Sequence, residues 1–136
     1  MKLEHVAVWT GKLEEMREYY TRHFNGKSND KYTNRETGFE SYFITFDSGT
    51  RLEIMQLPGI PENLNDRIGK QHIGLIHLAF EASGMEAVIS KWQELEKAGY
   101  RILRGPRVTG DGYFEFETLD PDNNRIEVTT VAEKKR

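Results

Sequence analysis

The first half of the chain shows a strand pattern, then a helix pattern, then strand patterns again. Residues 2–9 are rich in β-branched side chains, and residues 12–24 carry apolar side chains at helical spacing. Two aromatic and β-branched runs, 39–46 and 51–57, flank turn residues that favour a hairpin. With one more short strand around residues 31–33, this half predicts a strand, a helix and about three strands.

The second half repeats this order of elements. It contains a strand pattern at 73–81, a helix pattern at 85–99, and three strand patterns at 100–108, 113–120 and 125–130. The segment between the halves has two prolines and little periodicity, which is typical of a linker. We therefore predict an α+β fold in one domain, residues 1–136, with module 1 at about 1–57, a linker at about 58–71 and module 2 at about 72–131.

The two halves also resemble each other in sequence. Residues 5–8 (HVAV) align with residues 77–80 (HLAF) at an offset of 72, and residues 51–54 (RLEI) align with residues 125–128 (RIEV) at an offset of 74. The small change in offset corresponds to a short loop insertion. An internal duplication explains the repeated order of elements.

Composition excludes several classes of function. The chain has 19 Lys and Arg against 22 Asp and Glu, a formal charge of −3, so nucleic acid and anionic membrane surfaces are unfavoured partners. It has no cysteine, so a metal must be held by His and carboxylate side chains. Without cysteines, and with no apolar run long enough to span a membrane, the sequence predicts a cytoplasmic protein.

Four chemically useful residues occupy equivalent positions of the repeat: His5, Glu53, His77 and Glu127. Because side chains alternate along a strand, each lies on the face opposite to its aliphatic neighbours, which are free to pack on a helix. If the helix-free faces of two such sheets meet, two imidazoles and two carboxylates form a mixed metal site. Each residue alone fits an ordinary solvated strand face, with the Glu residues paired to Arg51 and Arg125, but their joint placement favours the metal site.

These motifs resemble the vicinal-oxygen-chelate superfamily, which includes glyoxalase I, bleomycin-resistance proteins and extradiol dioxygenases. The resemblance runs from LEHVAVW through HLAFE to the ending LDPDNNRIEVT. It implies paired βαβββ modules that form a curved mixed sheet around a metal cleft. It also implies that His5, Glu53, His77 and Glu127 are the ligands of a divalent ion, with Zn, Ni, Co, Mn and Fe left open.

Among these members, the quartet resembles glyoxalase I, which uses two His and two Glu. The resemblance implies a lyase or isomerase that acts by proton transfer next to a carbonyl on a vicinal-oxygen substrate, with Glu127 or Glu53 as the base. An epimerase, a dioxygenase or a small-molecule and antibiotic-binding resistance protein remain alternatives. The expected partners are a small-molecule substrate and a second copy of the chain in a homodimer.

One departure from glyoxalase I concerns the substrate pocket. Where bacterial glyoxalase I has an Arg for a glutathione carboxylate, this chain has Trp9, and the Asn used for glutathione has no counterpart in the stretch 56–58. Trp9 indicates either a more apolar substrate or a packed pocket wall. Arg51 and Arg125, each two residues before a Glu, would bind an anionic substrate or neutralise the rim of the site, and Tyr113 would border it.

Overall fold

The structure is a computed structural model that describes residues 1–62 and 70–133. The chain divides into two compact units, which contain the described residues 1–62 and 70–133 respectively. Each unit has one mixed sheet and one long helix, so the predicted α+β class with two modules is confirmed. Of the predicted linker at 58–71, residues 63–69 lie outside the described residues, and the predicted module boundaries stay a prediction.

The first unit pairs its first strand with its last strand. Its elements are β1 (His5–Trp9), α1 (Leu13–His23), β2 (Lys27–Ser28), β3 (Tyr32–Thr33), β4 (Glu40–Thr45) and β5 (Arg51–Gln56). The sheet order is β1-β5-β4-β2, with β3 also paired to β4, and β1 runs parallel to β5. The parallel pair requires a crossover, which α1 and the intervening strands supply.

The second unit has the same strand order with one strand fewer. Its elements are β6 (His77–Glu81), α2 (Met85–Lys97), β7 (Ile102–Val108), β8 (Tyr113–Leu119) and β9 (Arg125–Val131). The sheet order is β6-β9-β8-β7, and β6 runs parallel to β9. In both units the strand that begins with His therefore lies beside the strand that carries the predicted Glu ligand.

Each helix packs on the aliphatic face of its own sheet. In the first unit α1 contacts β4 and β5, and the fully buried side chains include Met16, Tyr20, Ile44 and Ile54. In the second unit α2 contacts β7, β8 and β9, and the fully buried side chains include Val88, Leu95, Phe116 and Ile126. The alternation in the sequence correctly predicted these faces, so His5, Glu53, His77 and Glu127 lie on the faces without a helix.

Several strand boundaries differ from the sequence prediction, and the short strand β2 was not predicted. β1 begins at His5 because its partner in β5, Arg51, is the first residue of that strand. β6 begins at His77 because Gly74 has a φ of +119°, which interrupts the extended backbone predicted from residue 73. β2 has only two residues, too few to produce an alternating pattern. Within the described ranges, neither helix has the length and apolar character needed to cross a membrane.

Candidate metal centre

Three potential metal ligands meet on the helix-free face of the second unit. His77 begins β6, Glu127 lies on the neighbouring β9, and Glu117 lies on β8 directly opposite Glu127. The residue opposite Glu127 on its other side is Ala79, whose small side chain leaves room above the sheet. We call His77, Glu117 and Glu127 the candidate metal centre.

The geometry of this group suits a divalent cation. Each residue offers one ligand atom, and these atoms all lie within 4.8 Å of one another. His77 Nε2 is 3.5 Å from Glu127 Oε2, with side-chain exposures of 32% and 14%. Metal–ligand bonds of about 2.0–2.2 Å place two ligands of one ion about 3–4.4 Å apart, so small side-chain adjustments suffice. One imidazole nitrogen and two carboxylate oxygens are donors that first-row divalent ions accept.

Two like charges face each other in this centre. Glu117 is 9% exposed, and the Nε of Arg104 lies 3.4 Å from its Oε2. Carboxylates directly opposite in an antiparallel pair destabilise the sheet unless a positive charge compensates them. A bound dication would neutralise both carboxylates at once.

A third carboxyl group adjoins the centre. Glu115 precedes Glu117 by two residues on the same face of β8. Its pKa is raised to about 7, mainly by burial and to a smaller extent by the hydrogen bond and the negative charge of Glu127. Arg107, opposite Glu115 on β7, acts in the other direction. Near neutral pH, Glu115 therefore carries a proton for part of the time and shares a hydrogen bond with Glu127.

The other two predicted ligands lie in the first unit. His5 packs edge-on to Phe43 with ring centroids 5.6 Å apart, and its Nδ1 is 3.2 Å from Glu4 Oε2. Glu53 lies opposite Ala7 on one side and Phe43 on the other. Residues 1–62 contain no group of three ligand atoms like that of the second unit. The role of His5 and Glu53 as ligands stays a prediction.

The predicted pocket residues occupy contrasting environments. Trp9 is 44% exposed and contacts Phe39 edge-on at 6.0 Å, and Tyr113 is 41% exposed at the start of β8. Arg51 forms an ion pair with Glu4. Arg125 is only 4% exposed and donates from Nη2 to the carbonyl oxygen of Lys70.

Comparison with known proteins identifies the family. The family model described as "Glyoxalase/Bleomycin resistance protein/Dioxygenase superfamily" matches residues 2–128. The chain belongs to this superfamily. The resemblance stated from the sequence is thereby confirmed.

Solved structures of the superfamily show the same fold at low sequence identity. Trypanothione-dependent glyoxalase I from Leishmania major has a TM-score of 0.73 and 20% identity, covering 98% of this chain and 87% of that chain. The fosfomycin resistance protein FosX from Listeria monocytogenes, complexed with Mn(II) and sulfate, has a TM-score of 0.70 and 16% identity, covering 98% and 93%. Such similarity establishes the shared fold.

A curated relative is similar over a shorter region. An uncharacterised protein, YqjT of Bacillus subtilis (strain 168), is 41% identical over 63 residues, which cover 44% of this chain and 48% of that protein. The match thus spans about half the length of the relative.

Glu115 and Glu117 are two carboxylates at or beside the candidate metal centre that the sequence analysis missed. They alternate with Phe114 and Phe116, so the reasoning that placed Glu127 on the helix-free face also applies to them. They were overlooked because candidates were sought at positions that repeat between the halves. The position equivalent to Glu117 in the first unit is Phe43, opposite Glu53, so the duplication does not preserve this carboxylate.

Proposed function

We propose that this protein is a metal-dependent, glyoxalase-like lyase or isomerase. It moves a proton next to a carbonyl group of a small molecule that carries two adjacent oxygen atoms. The observation that supports this proposal most strongly is the group formed by His77, Glu117 and Glu127, which gathers a neutral nitrogen donor and two carboxylates on a helix-free sheet face. Membership of a superfamily that contains metal-dependent enzymes is consistent with it.

His77 and Glu127 would hold the metal, and Glu117 adds a third ligand that the sequence analysis did not include. When bound, a divalent cation supplies Lewis-acid polarisation of the substrate oxygen atoms. We retain His5 and Glu53 as further ligands on the basis of the sequence. Zn, Ni, Co, Mn and Fe all accept such nitrogen and oxygen donors, so the donor set does not select one of them.

A carboxylate of the site would accept the proton from the substrate carbon. Glu127 is well placed for this role, because its side chain is only 14% exposed and water competes little for it. Glu115 lies beside Glu127 and hydrogen-bonds to it. Glu53 is the alternative base, as the sequence resemblance implies.

Proton exchange in deuterated water tests this chemistry without knowledge of the natural substrate. The metal-loaded protein is incubated in D₂O with methylglyoxal–glutathione hemithioacetal and with a panel of α-hydroxy ketones and α-hydroxy aldehydes, and NMR follows loss of the C–H signal. We expect metal-dependent exchange with at least one compound, lost in Glu127→Gln or Glu53→Gln and retained in the control Glu81→Gln, an exposed carboxylate on β6. Metal binding without exchange on any compound would instead favour a binding or resistance protein.

We also propose that the protein is a cytoplasmic homodimer. Each unit carries one His and one Glu of the predicted quartet, and strand edges such as β1 and β6 end the sheets in each unit. Analytical ultracentrifugation at micromolar concentration should give twice the mass of 15.8 kDa. A single species at the monomer mass would contradict the dimer and leave the proposed chemistry untouched.

A further inference from the structure

The positive charge of Arg125 is buried, and few polar groups around it compensate this charge. It lies at the start of β9, directly opposite His77 and two residues before Glu127. The residue is 4% exposed, and its Nε is buried without a hydrogen-bond partner. Its Nη2 donates to the backbone oxygen of Lys70. Buried charges in proteins are normally paired, because removing an ion from water is costly.

The other arginines near the centre have acidic neighbours. Arg104 lies 3.4 Å from Glu117, and Arg107 is opposite Glu115. Arg125 has no carboxylate within ion-pair distance in the part of the chain that the structure describes. The backbone carbonyl that it contacts is a neutral acceptor and compensates the positive charge only in part.

The repeat supplies an internal comparison. Arg51 occupies the position equivalent to Arg125, directly opposite His5. Its guanidinium forms an ion pair with Glu4, lies 4.0 Å from the ring centre of Phe43, and keeps a side-chain exposure of 35%. The residue equivalent to Glu4 is Ile76, which has no charge to offer. The duplication has therefore kept the arginine in both units but the carboxylate partner in only one.

We propose that Arg125 binds an oxyanion of the ligand that the candidate metal centre receives. The group would be a carboxylate or a phosphonate-type group, and this inference rests on the proposed function. A dication would balance Glu117 and Glu127, and the charge of Arg125 then stays free for the ligand. A charge-assisted bond to an oxyanion is stronger than the bond to the Lys70 carbonyl, so the guanidinium gains by turning toward such a ligand.

Anion titrations of the full chain test this assignment. Inorganic phosphate, acetate and chloride are titrated at constant ionic strength into protein loaded with a divalent metal and, in parallel, into chelator-treated protein. Binding is followed by calorimetry and by the thermal midpoint. We expect saturable binding of phosphate, of acetate or of both, but not of chloride, and the preferred anion identifies the class of the ligand group. Arg125→Gln should weaken this binding at least tenfold, while the control Arg22→Gln, which removes an exposed arginine in the last turn of α1, should leave it unchanged.

A second variant covers the case in which Arg125→Gln does not fold. Arg125→Lys keeps the charge but loses the planar, bidentate donor edge, so we expect it to bind the preferred oxyanion about three- to tenfold more weakly than the parent protein. Unchanged oxyanion affinity in either variant, or no saturable oxyanion binding by the parent protein, would overturn the inference.

The metal content of the same variants separates this inference from the proposed function. If Arg125→Gln keeps its metal and its proton exchange but the parent protein binds no oxyanion, the anion subsite is wrong and the proposed function stands. If the parent protein binds an oxyanion through Arg125 but never binds a divalent metal, the proposed function is wrong and the subsite stands.

Discussion

Glu117 and Glu127 lie directly opposite each other on β8 and β9, and each offers an oxygen atom within 4.8 Å of His77. Their proximity is unfavourable for the empty protein and favourable for one that binds a cation. Removal of one of these carboxylates should therefore stabilise the metal-free protein but reduce the stabilisation that a bound metal provides.

The first prediction concerns Glu117→Gln. Without metal, this variant should be more stable than the parent protein by roughly 0.2–1 kcal/mol, because a like-charge pair is removed and the half-exposed Arg104 loses little. With a divalent metal at one hundred times its dissociation constant, the parent protein should gain about 2.7 kcal/mol, and the variant should gain less. Urea unfolding with chelator and with Mn(II) or Zn(II) measures both effects. A variant that is less stable than the parent protein in chelator and gains equally from metal would contradict the role of Glu117.

The second prediction separates ligand from base. Glu127→Gln and Glu53→Gln each keep an amide oxygen that coordinates weakly but cannot accept a proton at neutral pH. At least one of them should keep much of its metal while its turnover falls by roughly 10²-fold or more. Metal analysis and kinetics on the same preparation check this. If both variants lose metal and activity in proportion, the separation of base from ligand is wrong.

The third prediction concerns glutathione. Trp9 stands where the resemblance to glyoxalase I leads one to expect an arginine, so a glutathione carboxylate would lack a charge-assisted bond worth roughly 1.5–3 kcal/mol. Turnover of the methylglyoxal–glutathione adduct should therefore be weak, and Trp9→Arg should improve it relative to the neutral control Trp9→Gln. Efficient turnover by the parent protein, with kcat/KM near roughly 10⁷ M⁻¹s⁻¹, would overturn this expectation.

The fourth prediction concerns the stability of the first unit. Lys31 Nζ lies 2.6 Å from Glu14 Oε1 and Tyr42 donates to the same carboxylate, so these bonds hold the pKa of Glu14 below its ordinary value. A lowered pKa contributes stability above the unfolded value of about 4.5, and this contribution is lost as the pH falls through the folded pKa.

Glu14→Gln should therefore cost up to about 1 kcal/mol at pH 7, a small value because the carboxylate is largely exposed, and almost nothing at pH 2. Glu15→Gln is the matched control, since Glu15 occupies the same first turn of α1. Urea unfolding at the two pH values measures the difference. A cost that persists at pH 2 would show that the effect does not come from the ionised carboxylate.

Much of the fold could be predicted from the sequence because its causes are local and repeated. The alternation around His5 and Glu127, and the helical spacing around Met16, depend only on neighbouring residues. The duplication then predicted the same order of elements in both units, whereas the parallel pairing of first and last strands came from the structure. The strand start at His77 was placed wrongly because a single glycine conformation, at Gly74, decides it.

The site was less accessible to sequence reasoning because it depends on cross-strand neighbours. The pairing of Glu117 with Glu127 follows from the register of β8 and β9, and no local sequence pattern predicts that register. The contrast between Arg51 and Arg125 has the same origin. Their sequence contexts, RLEI and RIEV, are similar, and they differ in the carboxylate supplied by the residue before the first strand.

The central claim is that His77, with Glu117 and Glu127, holds a divalent metal, and the sequence adds His5 and Glu53 to this set. Elemental analysis after dialysis against a limiting mixture of divalent ions tests it most directly. His77→Ala should lower the bound metal to less than about a tenth of the parent value, since a neutral nitrogen donor is lost, and His5→Ala should also lower it. His72→Ala, which removes a histidine outside this set, should have no effect. Full metal content in both His77→Ala and His5→Ala would contradict the account and return these side chains to ordinary polar positions on strand faces.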